Sequence, residues 1–550
     1  MKTMKKILLY CMPFCLLFAS CSDLLDEESY SETGKGNYLN NAKEAETVLQ
    51  GVYKNLANEY TYSYHLSLLF TISTDIAQCE GSSTTSFREI PTNSHNASTS
   101  QIARTWQQLY SAIYDANDFI ETVSGRMDSW GSSDRELAAI YLGEARALRA
   151  LFYFELVRWY GNVVLMTSTA DSRKKDEDYE QAAAKDVYAY IEEDLKYAAE
   201  VLPWAVDDNK RTSNAYRFSK GAALGLLAKV YCTWAGYPVK DESKWAEAEK
   251  VARRVVESGK HRLISDYETV WKNTCNGIWD AGESLIEVSF YSPTGLDSDN
   301  TAGRIGKWNG VSATTIDGER GRNAANWKVV YSFTRDWEAQ NDPRMKLSIA
   351  DYKYDHTLGS GPITYFSTIS SPNPSEDQKN KQRQLFTPAK WDTEKYVETS
   401  NYIVNNDKSN VNWYILRYSD VLLLFAEALN ESGGSIVDAV DAVNAVRRRG
   451  FGDTKHDLSY GLSREDLRTA IRKERAYELC FEGHRKQDLI RWGIYYDRVM
   501  ETAQELVNWY SNANYAVAKY IIKGRHELLP IPQRDLDMMP KCKQNPGWGQ

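Results

Sequence analysis

The 550-residue chain lacks several features that would have placed it at once. Of its eight cysteines, Cys11, Cys15 and Cys21 stand near the start. The others (Cys79, Cys232, Cys275, Cys480 and Cys542) are odd in number and widely scattered, so they make neither a disulfide framework nor a zinc-ligand spacing. One bridge, such as Cys79 to Cys275, stays open, while Cys232 and Cys480 fall in helical patterns and read as small buried hydrophobes. Positive charge is in deficit, with a net charge of −9 and a pI near 5.6, which argues against a nucleic-acid partner. Beyond the first residues no apolar run is long enough to cross a bilayer. Gly and Pro, 32 and 14 in number, are too few for a disordered chain. There is no H-E-x-x-H, no G-x-S-x-G, no phosphate-binding loop and no G-x-G-x-x-G after a strand. The seven histidines (His65, His95, His261, His356, His456, His484 and His526) have no ligand spacing, so neither metal nor cofactor is expected.

What is present begins with a leader. Lys2, Lys5 and Lys6 form a basic start, and 7–18 is an apolar stretch too short to span a membrane. Ala19-Ser20-Cys21 then resembles a bacterial lipobox, with Phe18 where leucine is commoner. This reads as a signal peptide over 1–20, removed to leave Cys21 lipidated, followed by a polar tether over 21–41. Aromatic residues make up 12% of the chain, with 16 Trp and 36 Tyr, more than enough for a stacking surface besides a core.

Apolar residues at i, i+3, i+4 spacing predict helices over 43–56, 102–123, 134–160, 182–202, 218–235, 245–257, 417–430 and 435–448. Small residues (Ala145, Ala147, Ala150; Ala222, Ala223, Ala228; Ala246, Ala248, Ala252) sit where helices would pair closely. The couples 218–235 with 245–257 and 417–430 with 435–448 have the length of tetratricopeptide units. Between 277 and 412 the periodicity fails, and Gly, Ser, Thr, Asn and Pro surround strand-like pieces such as 285–290. The expected organisation is a helical-repeat part over 42–276, an irregular loop-rich lobe over 277–412, and a second helical part over 413–550. A polar loop over 81–100 carries Phe87, and a loop of that length is mobile or functional.

The stretch 467–492 reads as one helix with a single breaker, Gly483, and an N-cap signature in Ser463 and Asp466. Glu474, Glu478 and Glu482 recur every fourth residue, so three like charges share a stripe. Arg475 and Arg485 stand three residues from Glu478 and Glu482 and are expected to neutralise it as a partly buried ionic clamp. With 75 acidic residues a carboxylate pair at glycosidase separation stays open. The glutamates in recognisable motifs, Glu427 among them, have structural roles at hand, so the chain reads as a non-enzyme.

These residues carry a resemblance. Arg472-x-Glu474-Arg475-x-x-Glu478-Leu479-x-x-Glu482-Gly483-x-Arg485-x-x-Asp488-Leu489-x-Arg491-Trp492-Gly493 is similar to the C-terminal signature of the SusD/RagB family, surface lipoproteins of Bacteroidota that bind nutrients, mostly glycans. Arg417 to Ala428 resembles its second signature, and Pro530-Ile531-Pro532 with Gln544-Asn545-Pro546-Gly547 its C-terminal pattern. Tyr160-Gly161-Asn162-Val163-Val164-Leu165 is similar to another family segment but has Val164 where proline is usual. Asp23, Asp26, Glu27 and Glu28 resemble the surface-export signal of such lipoproteins.

The resemblance implies a right-handed stack of four tetratricopeptide units with a variable lobe packed on it. It also implies an oligosaccharide ligand, a lipid anchor in the outer membrane, and a SusC-like TonB-dependent outer-membrane transporter whose mouth the protein covers. Surface-anchored glycoside hydrolase and peptide- or protein-binding helical repeat are the alternatives. A sugar needs exposed rings beside hydrogen-bonding groups. Rings on periodic apolar faces (Trp106, Tyr153, Trp245) read as core, leaving Phe87 and, in the lobe, Tyr291, Trp308 and Trp327. Trp308 is favoured because Lys307, Asn309 and Gly310 read as an exposed turn. Asp75 and Asp342, on loops beside aromatics, are the carboxylates expected to meet a ligand hydroxyl. The family's ligands lie between the early loop and the variable lobe, which points to the same rings.

Overall fold

The computed structural model describes residues 39–292, 302–316, 319–359, 362–366 and 373–549, so the expected leader, Cys21 and nearly all of the tether lie outside them. The first helices follow the apolar spacing: α1 (Ala42–Lys54), α2 (Ser100–Arg126), α3 (Ser132–Tyr160), α4 (Ala184–Val201), α5 (Lys220–Ala235) and α6 (Lys244–Val256). Side-chain caps start two of them, Asn41 accepting from the Glu44 amide and Ser219 from the Ala222 amide. From α2 to α6 each helix packs on the next, and α1 lies against α2 and α3. Ala145, Ala147, Ala150, Ala222, Ala223 and Ala228 are fully buried where these helices meet, and Trp106 and Tyr153 are core. Trp245 is only half-buried and Ala246 is exposed, so that turn of α6 faces outward.

After α7 (Tyr267–Cys275) the lobe begins. It holds α8 (Tyr331–Glu338), α9 (Arg344–Ser348), α10 (Glu376–Arg383) and α11 (Thr393–Tyr396). Short antiparallel pairs link Ile349–Ala350 with Thr387–Pro388 and Tyr352–Tyr354 with Ile363–Tyr365. The expected strand appears as Ser284–Val288, and it pairs antiparallel with Trp413–Arg417, so the lobe starts and finishes on neighbouring strands. Gly225 of α5 lies beneath them. A Cβ there would stand 2.9 Å from the side chains of Leu285 and Leu416, so glycine is what lets the helix come this close. The chain then continues through α12 (Tyr418–Ser432), α13 (Ile436–Phe451), α14 (Arg464–Glu478), α15 (Arg485–Arg491), α16 (Tyr495–Trp509) and α17 (Gln533–Met538). α12 packs on α6, on α13 and on α14, so the stack resumes across the lobe as a tetratricopeptide-like helical-repeat scaffold.

Two expectations need correction here. The single helix over 467–492 is two: α14 ends at Glu478, and Phe481 and Gly483 take positive φ values of 66° and 79° before α15. A bulky residue in that region ends a helix as firmly as the glycine does. Ser463 does cap α14, accepting from the Asp466 amide at 3.1 Å. The bridge between Cys79 and Cys275 is absent, and both are free thiols.

The glutamate stripe is a buried ionic clamp, but its partners are not the neighbouring arginines. Glu478 receives Arg417 Nη1 at 2.6 Å, Arg344 Nη1 at 2.9 Å and Arg449. Glu482 receives Lys390 Nζ at 2.7 Å and Arg417 Nε at 2.7 Å, and Glu474 receives Arg344 and Arg447. Asp342 and Glu283 complete the set, so five carboxylates meet the five cations Arg344, Lys390, Arg417, Arg447 and Arg449. Burial alone would raise the Glu478 carboxyl, yet Arg449, Arg417 and Arg344 hold it well below its ordinary value; Arg417 and Lys390 do the same for Glu482. Arg475 turns instead to Asp420 and Asp488, and Arg485 to Asp75. The clamp thus ties α14 to the lobe through Asp342, Arg344 and Lys390, and to the repeat scaffold through Arg417 and Arg449.

Candidate functional site

The first lobe segment after 302 lies along the turn that follows α1. The Arg304 amide donates to the Ser63 carbonyl at 3.0 Å, and Ser63 Oγ donates to the Ala302 carbonyl at 3.2 Å. This registers Trp308 beside Tyr64, ring centroids 4.9 Å apart, with the Arg304 guanidinium 4.6 Å from the Tyr64 centroid and 5.2 Å from that of Trp308. Arg304 is fixed by Glu59 and Asp407, each at 2.8 Å, and the Trp308 indole N–H donates to Asp407 at 2.9 Å. From the loop over 81–100, Phe87 meets the Trp308 ring edge to face at 4.9 Å. Phe87 is half-buried in the 3-10 turn Ser86–Arg88, directly after Ser86 at φ 58°, and Arg88 lies 4.4 Å from its ring centroid. A non-glycine residue held at positive φ is a local strain that surrounding structure must impose.

The early loop and the lobe therefore meet at Phe87 and Trp308, but the turn around Trp308 is not exposed as its sequence suggests. Trp308 itself is 8% accessible, and Lys307 and Asn309 are buried. Lys307 Nζ finds the Gly321 carbonyl at 3.0 Å, and Asn309 Oδ1 accepts from the Gly306 amide at 2.7 Å, so polar side chains here satisfy backbone rather than water. Gly310 sits so close to Gly306 that a Cβ would lie 2.2 Å from its carbonyl oxygen. Burial pulls the Lys307 ammonium down to about 8.

The remaining candidates separate. Trp327 is a buried strand residue, opposite Cys79 in the antiparallel pair of Trp327–Val329 with Ala77–Cys79, and its amide donates to the Trp308 carbonyl at 3.1 Å. It supports the cluster from behind and offers no open face. Asp75 is buried, and both its oxygens are engaged, by Arg485 at 2.8 and 2.7 Å and by Arg498 at 3.2 Å. Burial would raise its carboxyl, but Arg485 and Arg498 bring it below the ordinary value, so it is a structural anion and not a free acceptor. Asp342 is likewise spent on Arg344. Tyr291 is 67% accessible and lies elsewhere, on the rim of a cleft of about 880 Å³ between α1, the start of α3, the loop 208–217 and the end of the strand Ser284–Val288.

Glu59, Tyr64, Arg304 and Asp407 are the members of the cluster that sequence reasoning missed. Tyr64 belongs to the Tyr60, Tyr62, Tyr64 run, which is a visible signal; Arg304 and Asp407 carry none, because only the folded lobe brings them to the rings. Among the described residues no group of three or more His, Cys, Asp or Glu is arranged to hold a metal ion. The cluster offers two ring edges, a guanidinium and two carboxylates, a combination suited to hydrogen-bonding and packing against a polyhydroxylated ligand.

Comparison with known proteins adds lineage to this geometry. A SusD family model matches residues 297–548, and one described as starch-binding associating with outer membrane matches 23–232. A solved SusD homologue from Bacteroides thetaiotaomicron is 54% identical, covers 95% of this chain and 100% of its own, and superposes with a TM-score of 0.90. SusD-like protein P25 of Formosa agariphila is 24% identical over 95% of this chain and 94% of its own length. A laminarin-binding SusD-like protein, 24% identical over 92% of this chain and 100% of its own, shares the fold with a TM-score of 0.69. The helical stack, the lobe on neighbouring strands and a 54% identical homologue along nearly the whole length place this chain in the SusD family.

Proposed function

We propose that this protein is a cell-surface glycan-binding lipoprotein. Cys21 anchors it in the outer membrane, the cluster around Phe87 and Trp308 holds an oligosaccharide, and a SusC-like TonB-dependent outer-membrane transporter receives the ligand. The observation that carries the reading is the meeting of the loop over 81–100 with the lobe at an edge-to-face aromatic pair flanked by Arg304, Glu59 and Asp407. The starch named for the matching family model and the laminarin named for a structural neighbour point to the same ligand class. Binding is favoured over hydrolysis because Glu59 and Asp407 both have an oxygen engaged by one guanidinium.

A glycan-array screen of the protein lacking residues 1–21, followed by calorimetry on the hits, tests the reading. Oligosaccharide binding without product release is the expected result. Release of smaller sugars would favour a surface-anchored hydrolase. No glycan affinity with retained transporter association would favour a peptide- or protein-binding repeat.

A further inference from the structure

We infer that the cleft carrying Tyr291 is a second carbohydrate site, separate from the Phe87–Trp308 cluster, that takes a short oligosaccharide. The inference rests on the glycan-binding reading above and extends it to a region that reading does not use. Its volume, about 880 Å³, falls within the range of sites that enclose small ligands. Tyrosine rings from four elements line it: Tyr53 of α1, the buried Tyr141 of α3, Tyr216 of the loop 208–217 and Tyr291 beyond the strand Ser284–Val288. Tyrosine presents an apolar face for sugar C–H groups and a hydroxyl that bonds their oxygens.

Tyr216 holds a backbone φ of 61°, a region that bulky residues rarely occupy, and its hydroxyl is anchored on the Gly277 carbonyl. Strain of this kind is maintained where a side chain must be presented in one orientation, as ligand clamps require. The charged groups at the floor of the cleft are satisfied internally, while Lys43 and Lys54 of α1 stand exposed at its edge. Arg217 pairs with Glu144 at 2.8 Å and with Glu46, and Glu287, buried on the floor, accepts from Asn412 at 2.9 Å and Ser284 at 2.8 Å. Burial raises the Glu287 carboxyl to about 7, so the floor carries at most a partial charge near neutral pH. Ring faces, paired charges on the floor and lysines at the edge suit a polyol, whose C–H faces pack on rings and whose hydroxyls accept from ammonium groups. Tyr291, 67% accessible at the mouth, is left to close over whatever enters.

Hydroxyl-radical footprinting of the soluble protein tests this with a defined probe, a pool of oligosaccharides from partial acid hydrolysis of starch, laminarin, xylan and mannan. The pool should lower oxidation of Tyr216 and Tyr53 severalfold, and Tyr291→Ala should abolish that protection while leaving protection of Phe87 intact. Because Tyr291 is exposed, its removal leaves the core untouched. Equal oxidation of the cleft tyrosines with and without the pool overturns the inference. If Phe87 is still protected, the Phe87–Trp308 reading survives alone; if it is not, both fall. Cleft protection that persists unchanged in Tyr291→Ala overturns it as well, since the ring at the mouth would then take no part.

Discussion

Arg417 Nη1 lies 2.6 Å from Glu478 Oε1, and the same guanidinium reaches both oxygens of Glu482, through Nε at 2.7 Å and Nη2 at 2.8 Å. One arginine at the end of the lobe's exit strand thus bridges two members of the stripe that would otherwise repel each other. Both partners are fully buried, so removing Glu478 leaves the balanced cluster of five carboxylates and five cations with one excess positive charge away from solvent. Glu478→Ala should cost about 3–5 kcal/mol, read as a lowered midpoint in chemical denaturation. A midpoint unchanged from wild type would mean that the network relaxes around the gap.

The same network sets the acid limb of stability. Glu478, Glu482 and Asp75 are depressed below their unfolded values, so their stabilising contribution is complete above about pH 4.5 and is lost as pH falls through the lower folded values. Histidines act earlier. Burial lowers His65 to about 3 and His526 to about 4, so below pH 6.5 the unfolded chain takes up protons that the folded chain refuses. Melting temperature should therefore decline from pH 6.5 downward and steepen below pH 4.5. A His526→Asn variant should flatten the upper part of that decline, and an identical profile would remove His526 from the account.

Phe87 and Trp308 should differ in what their loss does. Phe87 is half-buried on a loop, so Phe87→Ala should weaken oligosaccharide binding with little change in melting temperature. Trp308 is nearly buried, and Trp308→Ala should lower stability by up to about 3–5 kcal/mol as well as affinity. A shallow glycan site in the micromolar to millimolar range has only about −8 to −4 kcal/mol in total, so losing either ring should bring binding below detection in calorimetry. Retained affinity in folded Phe87→Ala would move the ligand away from this pair.

Anchoring has its own test. Wild type should fractionate with outer membranes and be open to external protease, and Cys21→Ala should be released once the transporter is deleted. A variant that remains equally membrane-bound would argue against lipidation at Cys21.

How much of this was legible from the residues depends on whether a signal is local. α1, α2 and α4 follow from spacing that repeats within a few turns, because the face a helix buries is written along the helix itself. The break between α14 and α15 had a partial signal in Gly483, and the second half of it, Phe481 at positive φ, has none. The clamp was legible in its carboxylates and illegible in its cations. Arg344, Lys390, Arg417 and Arg449 arrive from four separate segments, and sequence distance made the nearer Arg475 and Arg485 look like the partners. Trp308 failed for a related reason. Lys307 and Asn309 look like surface residues, yet both are buried, Lys307 Nζ donating to the Gly321 carbonyl and Asn309 Oδ1 accepting from the Gly306 amide, and only the folded turn supplies those partners.

The pairing of Ser284–Val288 with Trp413–Arg417 has an evolutionary and a practical side. Because the two strands that carry the chain out to the lobe and back lie side by side, and α6 rests directly on α12, the chain leaves and re-enters the repeat stack at one place whatever the length between. Lengthening or exchanging a lobe costs the stack little loop-closure entropy, since the ends stay fixed whatever lies between. What such an exchange must carry along is the set Asp342, Arg344 and Lys390, without which the buried stripe would lose two of its five cations and the carboxylate that balances Arg344. A transplanted lobe that preserves these three residues has a ready-made socket, which makes the strand pair a natural junction for chimeras between relatives of different ligand preference.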